Sequence, residues 1–410
     1  MKKLIGIIET QGKEKFLFQE NSHLLLKDAE DFVKPPNYEL LKNRNIIIGN
    51  GPVYGDSVFN FRYGPVTGGV QEAGVYNIYT SGEKILGVDI DVTFKKRNIE
   101  KKIIGKSPFM GIKFAESVCG NFAFSHSLSY SRAIEKICEI EVTERTKLLR
   151  VIALELERIY NHFYVITELA KGASLKVFTS HMQYLFEEIL RLNSKFSGSR
   201  HLKNFNKIGE IDKFDETIFN AFLKKIDEIY KRFEYIYSKS LESGNYLDRL
   251  HNTGVITSEY AQKIGLTGPS LRATGIKEDL RENDVYYDFI DIPIKLEGDA
   301  LARMEVRAEE VFISFDIIKK AVEKLKKIKS KILKKDIELY DGKGFFGVEG
   351  PSGTVCYYIE IKNGVINYCY ISTSSIHGFK AIADSLVGQI FTDFVFTVES
   401  FGVNFADACR

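Results

Sequence analysis

The sequence predicts an α+β fold: an N-terminal strand-rich part, a central antiparallel helical bundle and a small C-terminal strand-and-helix part. Three observations predict it. Short apolar runs bounded by Gly, Pro and polar residues fill the N-terminal part, as strands require. From about Ser107 the apolar residues recur at steps of three and four, the period of a helix. After Lys335 apolar runs of strand length return. The division this implies is 1–106, 107–335 and 336–410.

In chain order, the runs Leu4 to Ile8, Phe16 to Phe18, Leu24 to Leu26 and Ile46 to Ile48 are the first strand candidates. Val75 to Val92 continues the pattern, with Ser81-Gly82 as a hairpin turn. In the helical part, Leu149, Ile152, Leu156, Ile159, Phe163 and Ile166 form one apolar stripe, while Glu155, Arg158 and His162 share another face at the same steps. Further helices are expected from Thr179 to Asn193, from Glu216 to Leu241 and from Asp299 to Lys331, the last two long and charged on one side. The lysine-rich run from Lys319 to Lys335 suits a solvated helix face better than a docking patch. The last strands are Gly347 to Glu349, Cys356 to Ile359 and Tyr368 to Ile371, followed by a helix around Gly378 to Leu386 and an apolar tail.

A chain of 410 residues can bury a large core split over two or three sub-domains. Its 57 basic and 55 acidic residues leave a formal charge of +2, which gives no broad attraction to nucleic acid or anionic lipid. Cys119, Cys138, Cys356, Cys369 and Cys409 have no paired spacing, so a disulfide framework is not expected and a reducing cytoplasm is the default. The apolar run from Leu4 to Ile8 is too short for a signal segment, and no stretch approaches the ~18 apolar residues of a membrane span. The expectation is a soluble chain that partners bring to a membrane.

The stretch from Glu116 to Tyr130 carries the most chemistry. A Cys-Gly-x-Cys beginning would set two thiolates one helical turn apart, as a soft metal centre requires. Here Cys119 has Phe122 where the second thiol would stand. Taken alone, His126 suits a hydrogen-bonded core residue or a ligand, and Cys119 a small buried hydrophobe or a ligand. Gly64, Gly120, Gly268 and Gly275 fit turns and close packing. No GxGxxG follows a strand, so no nucleotide site is expected.

Several stretches together resemble the large subunit of nickel–iron hydrogenases and its relative, the D subunit of NADH:quinone oxidoreductase (respiratory complex I). Gly64-Pro65-Val66-Thr67 through Gly74 is similar to GPQHPxxHxxG, Arg97 to Lys101 to HRGxEK, and the Cys119 stretch to RICGxCxxxHxxAY. Leu149 to His162 resembles LRxxxxELERIxNH, Gly265 to Gly275 resembles GxTGPxLRASG, and Asp279-Leu280-Arg281 also has a counterpart. Arg303 to Glu310 is similar to RxxVRxEE, and Glu349 to Gly353 to ExPRG. The likeness runs in order from about Gly64 to Arg410, outside which residues 1–63 fall.

The resemblance implies a hydrogenase-large-subunit-like fold and, in hydrogenases, four thiolates around nickel and iron. The matching positions here are Cys119, Phe122, Asn404 and Asp407, with Cys409 out of register and Ser352 in place of the arginine of ExPRG. A nickel–iron centre is therefore not expected. Cys119 and Asp407, with Asn404 or Cys409, are the remnant metal candidates, and mixed sulfur and oxygen ligation would suit zinc or iron. In the complex I relative a His and a Tyr hold the quinone head group; Thr67 and, by ungapped counting, Pro108 stand there. Quinone stays an open cofactor, with Thr67 able to donate one hydrogen bond.

Glu72, Arg97, Glu100, Glu155, Arg158, His162, Asp279, Arg281, Arg303 and Glu310 match charged family positions. They suit either paired charges that fix helix packing or a relay for charge and protons. Thr67, Glu72, Arg97, Glu100, His126 and His162 are the pocket or relay candidates.

The implied function is the large subunit of a membrane-associated, energy-converting oxidoreductase complex with a remodelled pocket. No cofactor is assigned to this chain, since iron–sulfur clusters belong to partner subunits in the family. The implied partners are a small iron–sulfur subunit, another peripheral subunit and integral membrane subunits, with no nucleic acid. The implied place is the cytoplasmic side of the cell membrane, held peripherally. The competing readings are a catalytically silent scaffold needed for assembly and a free-standing soluble binding protein.

Overall fold

The structure, a computed structural model, describes residues 2–43, 47–67, 73–211, 214–288, 290–328 and 337–410. The chain opens with an antiparallel meander, β1 (Lys3–Thr10), β2 (Lys13–Glu20) and β3 (His23–Asp28). A short helix α1 (Tyr38–Lys42) leads to a second antiparallel sheet of β4 (Ile47–Gly49), β5 (Phe59–Tyr63), β6 (Val75–Ser81) and β7 (Lys84–Asp91), in the spatial order β4-β7-β6-β5. Its β6–β7 hairpin turns at Gly82, whose φ of 59° is a conformation glycine adopts without strain.

Helices α2 (Ile99–Ile103), α3 (Pro108–Ala115) and α4 (Ala123–Ile137) follow. Then come the long α5 (Glu144–Gly172), α6 (Lys176–Ser197) and α7 (Phe219–Ser240), the short α8 (Gly244–Leu250), α9 (Ser258–Lys263) and α10 (Pro269–Arg272), and the long α11 (Ala300–Leu325). The C-terminal part is the sheet β8 (Gly342–Gly350), β9 (Gly353–Lys362) and β10 (Val365–Thr373), then α12 (Ser374–Ser385), α13 (Phe394–Ser400) and α14 (Phe405–Cys409).

The bundle is antiparallel, and the pairings show it. Along α5 and α11, Glu155 meets Ser314 at 2.6 Å and His162 meets Glu310 at 2.9 Å, so one index rises as the other falls. Between α7 and α11, Asp227 meets Lys319 while Phe233 packs on Phe312. Between α6 and α7, Phe196 packs on Phe222 and Glu188 pairs with Lys225. The long helices start on side-chain caps: Thr143 accepts from the Thr146 N–H of α5, and Asp299 accepts from the Ala302 N–H of α11. Gly198, at φ 80°, ends α6 in the left-handed conformation that favours glycine.

The first and last sheets meet face to face. The Ile7 N–H donates to the Tyr370 hydroxyl at 2.8 Å, and the Thr10 hydroxyl donates to Glu360 at 2.7 Å. Gly6 permits this approach, since a Cβ there would lie 2.8 Å from the Tyr370 oxygen.

The expected elements need four corrections. The helix placed at 299–331 ends at Leu325; residues 329–336, which carry part of the lysine-rich run and the expected boundary at 335/336, lie outside the described residues. The helix placed at 378–386 begins four residues earlier, at Ser374, and the apolar tail folds into α13 and α14. The helices placed at 179–193 and 216–241 run over 176–197 and 219–240. The two-faced pattern marks no solvent side in the middle of α5 or the first half of α11, where Glu155, Arg158, His162, Arg303, Arg307 and Glu310 are buried with the apolar residues. Further on, α11 does present a charged solvent side at Asp316, Lys320, Glu323 and Lys324.

Candidate functional site

Helix α4 begins with no side-chain cap of its own, because its N-cap is Phe122, which carries no acceptor. Glu157 of α5 supplies the missing acceptors. One carboxylate oxygen takes the Phe124 N–H at 2.7 Å; the other takes the Ser125 N–H at 2.9 Å and the Ser125 hydroxyl. Burial pushes the Glu157 carboxyl up to about 7 in spite of those bonds.

Fixed in this way, α4 directs His126 inward. Its Nε2 lies 2.9 Å from Asp407 Oδ1 on α14, and its Nδ1 lies 2.9 Å from the Tyr357 hydroxyl on β9. All three side chains are buried. Burial first, and then Cys369 and Asp407, raise the Tyr357 phenol well above its ordinary range, so its hydroxyl keeps its proton and donates to Nδ1. A neutral imidazole that accepts there carries its proton on Nε2 and donates it to Asp407. The Thr373 hydroxyl holds the Asp407 carbonyl at 3.0 Å, and Asn404 caps α14 by accepting the Ala406 N–H at 2.8 Å.

Cys119 is buried beside this group. Burial, with the Asp407 charge nearby, pushes its thiol well above the usual range, so it stays protonated at neutral pH. Phe122, Asn121, Ser352, Tyr76 and Glu399 line an adjoining cavity of about 20 Å³, room for little more than one water. This donor set does not fit a four-thiolate centre: a protonated thiol, a phenyl ring, a capping amide, and a carboxylate already bonded to imidazole. Among the described residues no group of three His, Cys, Asp or Glu side chains is placed to hold a metal ion.

Other expected residues gather here. Arg97 donates to the carbonyl of Val118, next to Cys119, and Glu100 accepts the Ile371 N–H at 2.7 Å. Pro108 accepts the Tyr130 hydroxyl of α4 on its backbone carbonyl at 2.9 Å. The Ser352 hydroxyl donates to the Gly402 carbonyl. Thr67 accepts the Tyr63 hydroxyl on its carbonyl at 3.1 Å, and Glu72 lies outside the described residues.

His162 belongs to a second cluster, an ionic network in the centre of the protein. Glu310 takes Arg272 at 2.5 Å and the His162 Nε2–H at 2.9 Å. Glu155 takes Arg158 at 3.0 Å, Arg281 at 3.2 Å, the Ser314 hydroxyl at 2.6 Å and the Tyr287 hydroxyl at 2.7 Å. Asp279 takes Arg281 at 2.7 Å and Arg272 at 3.2 Å, and Glu349 takes Arg272 at 2.9 Å. Arg307 donates to His162 Nδ1 at 3.3 Å and to the carbonyls of Pro351 and Phe401.

Burial pushes the His162 imidazole down to about 3, so it is neutral, accepting from Arg307 and donating to Glu310. Burial alone would raise Glu155 and Glu310, but the arginines hold both carboxyls below the usual range. Burial first, and then the neighbouring Asp279, push the Glu349 carboxyl up to about 7. Arg303 is not part of this network. It donates to the Ser400 hydroxyl at 2.9 Å and the Gly298 carbonyl at 2.8 Å and stacks on Phe401.

The sequence reading missed Arg272, Arg307, Glu349, Glu157 and Tyr357. A signal existed for four of them: Arg272, Arg307, Glu349 and Glu157 stand at fixed positions of the motifs quoted above, and Arg303, Arg307 and Glu310 also recur at steps of four and three. Tyr357 gave no such signal.

The comparisons with known proteins agree with this architecture. Residues 175–339 match the family of the respiratory-chain NADH dehydrogenase 49 Kd subunit. The D subunit of the NADH-quinone oxidoreductase of Clostridium beijerinckii is 30% identical over 75% of this chain and 81% of its own length. The alpha subunit of the membrane-bound hydrogenase of Pyrococcus furiosus is 28% identical over 74% and 75%, and the D subunit of the F420H2 dehydrogenase of Methanosarcina mazei is 27% identical over 70% and 74%. These relatives are subunits of oxidoreductase complexes. The fold matches a chain in the structure of the membrane-bound sulfane sulfur reductase, an archaeal respiratory membrane complex. The TM-score is 0.81 at 22% identity, covering 87% of this chain and 100% of that one. The chain belongs to the family of the complex I 49 kDa, or D, subunit, which it shares with the hydrogenase-type large subunits.

Proposed function

We propose that this chain is the large peripheral subunit of a membrane-associated, energy-converting oxidoreductase complex, and that its pocket works without a nickel–iron centre. One observation carries the second half of this reading: Cys119 has the phenyl ring of Phe122 where a second thiol would stand, and the Asp407 carboxylate is bonded to His126. The polar groups that line the cavity are the Ser352 hydroxyl, the Tyr76 phenol, the Asn121 amide and the Glu399 carboxylate, which suit hydrogen bonds to a polar acceptor rather than soft-metal binding. A quinone-type acceptor bonds to them through its carbonyl oxygens only if the cavity of about 20 Å³ opens further. Iron–sulfur clusters then reside in a small partner subunit, with a further peripheral subunit and integral membrane subunits completing the assembly. The chain sits on the cytoplasmic side of the cell membrane. No helix among the described residues is long and apolar enough to cross a membrane.

The test is purification of the tagged chain from native membranes in mild detergent, with subunit identification and metal analysis. Iron–sulfur and integral membrane subunits should co-purify, and nickel should be absent while iron follows the clusters. A chain recovered alone, or nickel in stoichiometric amount, overturns the proposal.

A second reading, a silent scaffold, is favoured by the internal pairing of His126, Asp407, Tyr357 and Glu157, which occupies their polar atoms within the chain. Replacing His126 with Gln in the assembled complex separates the two. Lost electron transfer with intact assembly excludes the scaffold, and unchanged transfer excludes a working pocket.

A further inference from the structure

The N-terminal meander lies outside the stretch that carries the family motifs, yet it reaches the charged core. Lys3, at the start of β1, is 1% exposed, and its ammonium stands 2.9 Å from Glu278 Oε2 and 3.3 Å from the Leu266 carbonyl. Glu278 is 7% exposed, and its backbone carbonyl accepts Arg272 Nη1 at 3.0 Å. The same Arg272 nitrogen donates to Glu349 at 2.9 Å. One peptide unit thus ties the Lys3–Glu278 pair to the ionic network.

A second contact fixes the arrangement. The β2–β3 hairpin turns on Asn21 and Ser22, at φ 48° and 61°, the left-handed pair of a two-residue turn. The Ser22 hydroxyl accepts the Asp279 N–H at 3.0 Å and donates to Glu282 at 2.7 Å, and Asn283 donates to the Ser22 carbonyl at 3.2 Å. The meander therefore holds the segment that carries Asp279 and Arg281.

Charge balance gives Lys3 its weight. In the network Arg158, Arg272, Arg281 and Arg307 stand against Glu155, Asp279, Glu310 and Glu349, as many cations as anions, with His162 neutral. Glu278 adds a carboxylate to this interior, and Lys3 is the cation that cancels it. The carboxylate oxygens differ as well. Both oxygens of Glu155, Asp279, Glu310 and Glu349 accept a hydrogen bond, whereas among the described residues the buried Glu278 Oε1 has no partner. A proton can bind there without breaking an existing contact. The other charged and titratable groups that act on Lys3 are Arg272 on α10, Glu349 on β8 and His377 on α12. Burial pushes the His377 imidazole down to about 4, so it is neutral.

We propose that Lys3 is the counter-ion that sets the proton content of the charged core. While β1 holds it against Glu278 the core is electrically balanced; when that contact opens, the core binds one proton, shared by Glu278 and its neighbour Glu349. A buried charge that loses its partner is neutralised by protonation, and two carboxyls so close titrate as a pair. Seating of β1 therefore releases a proton and is favoured as pH rises. The meander is a proton-linked strap that acts within the chain and needs no partner subunit.

The experiment uses the full chain, unfolded in denaturant at about pH 5 and about pH 8, with infrared spectra of the folded forms. Lys3→Met leaves Glu278 without its cation. At about pH 8 the unfolding equilibrium constant should rise roughly 100-fold, and at about pH 5, where the core has taken up its proton, the rise should be much smaller. Near neutral pH the folded variant should show one more protonated carboxyl than the parent. Glu278→Gln should give the opposite slope, its loss greatest at low pH and relieved as alkaline pH removes the proton of the stranded Lys3. Lys3→Met combined with Glu278→Gln should return the carboxyl signal to the parent's and recover most of the stability, because neutral groups replace the whole pair. A Lys3→Met loss equal at both pH values, or a double variant no more stable than Lys3→Met, overturns the proposal. So does a double variant that fails to fold; where Lys3→Met alone fails to fold, the Glu278→Gln slope and the double variant decide.

Discussion

Two regions of this protein have opposite histories in their chemistry. In the central network the charged groups stand at family-matching positions and find partners: Glu310 with Arg272 and His162, Glu155 with Arg158 and Arg281. Around the start of α4, Phe122, Asn404 and Asp407 occupy places where the resemblance to hydrogenase large subunits would put thiols. The difference teaches where tolerance lies. A thiolate set can be exchanged for neutral or self-paired groups without leaving a charge in the interior. A buried guanidinium or carboxylate cannot lose its partner without that cost.

The largest effect is expected where one partner is removed from the network. Glu310→Ala strands Arg272 and His162 in the core and should destabilise the chain by about 3–5 kcal/mol, measured by denaturant unfolding. A loss below about 1 kcal/mol would mean the network is wetter than its burial indicates.

The pocket should be softer. His126→Ala leaves the Asp407 carboxylate and the Tyr357 hydroxyl without their shared partner, at a cost of about 2–3 kcal/mol. Hydrogen exchange should rise first in residues 404–410, which the Asp407 contact anchors. Faster exchange spread evenly over the bundle would contradict this division between the regions.

A pH titration places Glu157 between them. Its folded-state value of about 7 lies above the ordinary 4.5, so folding takes up a proton in that interval. Its contribution is therefore most favourable below pH 4.5 and is lost as pH rises to about 7. Glu157→Gln should remove that slope, while its NH2 leaves the Phe124 or Ser125 N–H without an acceptor at a cost of about 1–3 kcal/mol. Parallel pH profiles for the two proteins would remove Glu157 from the account.

The smallest effect belongs to the surface. Glu187 pairs with Arg191 at 2.8 Å and Arg200 at 2.7 Å, but it is solvent-accessible, so Glu187→Ala should change stability by no more than about 0.5 kcal/mol. Differential scanning calorimetry on this variant sets the baseline for the others.

The sequence by itself determined the alternation of strand and helix, because side-chain periods of two and of three to four are local properties. It also determined the membership implied by motifs in order, and that positions 122, 404 and 407 carry no thiol, since residue identity needs no fold. Its errors were local too. Helix ends at 325 and 374, and the two short helices after Phe394, depend on caps and packing that periodicity does not register. Tertiary structure alone decided which groups meet. Asp407 reaches His126 across 281 positions, Tyr357 reaches it across 231, and Tyr130 brings a phenol to Pro108. It also turned the polar faces in the middle of α5 and the first half of α11 into an interior, where Arg272 and Glu349 complete an ion network. Hydrogen bonds and ion pairs act over a few ångströms of space whatever the distance along the chain, so only the folded arrangement could pair them.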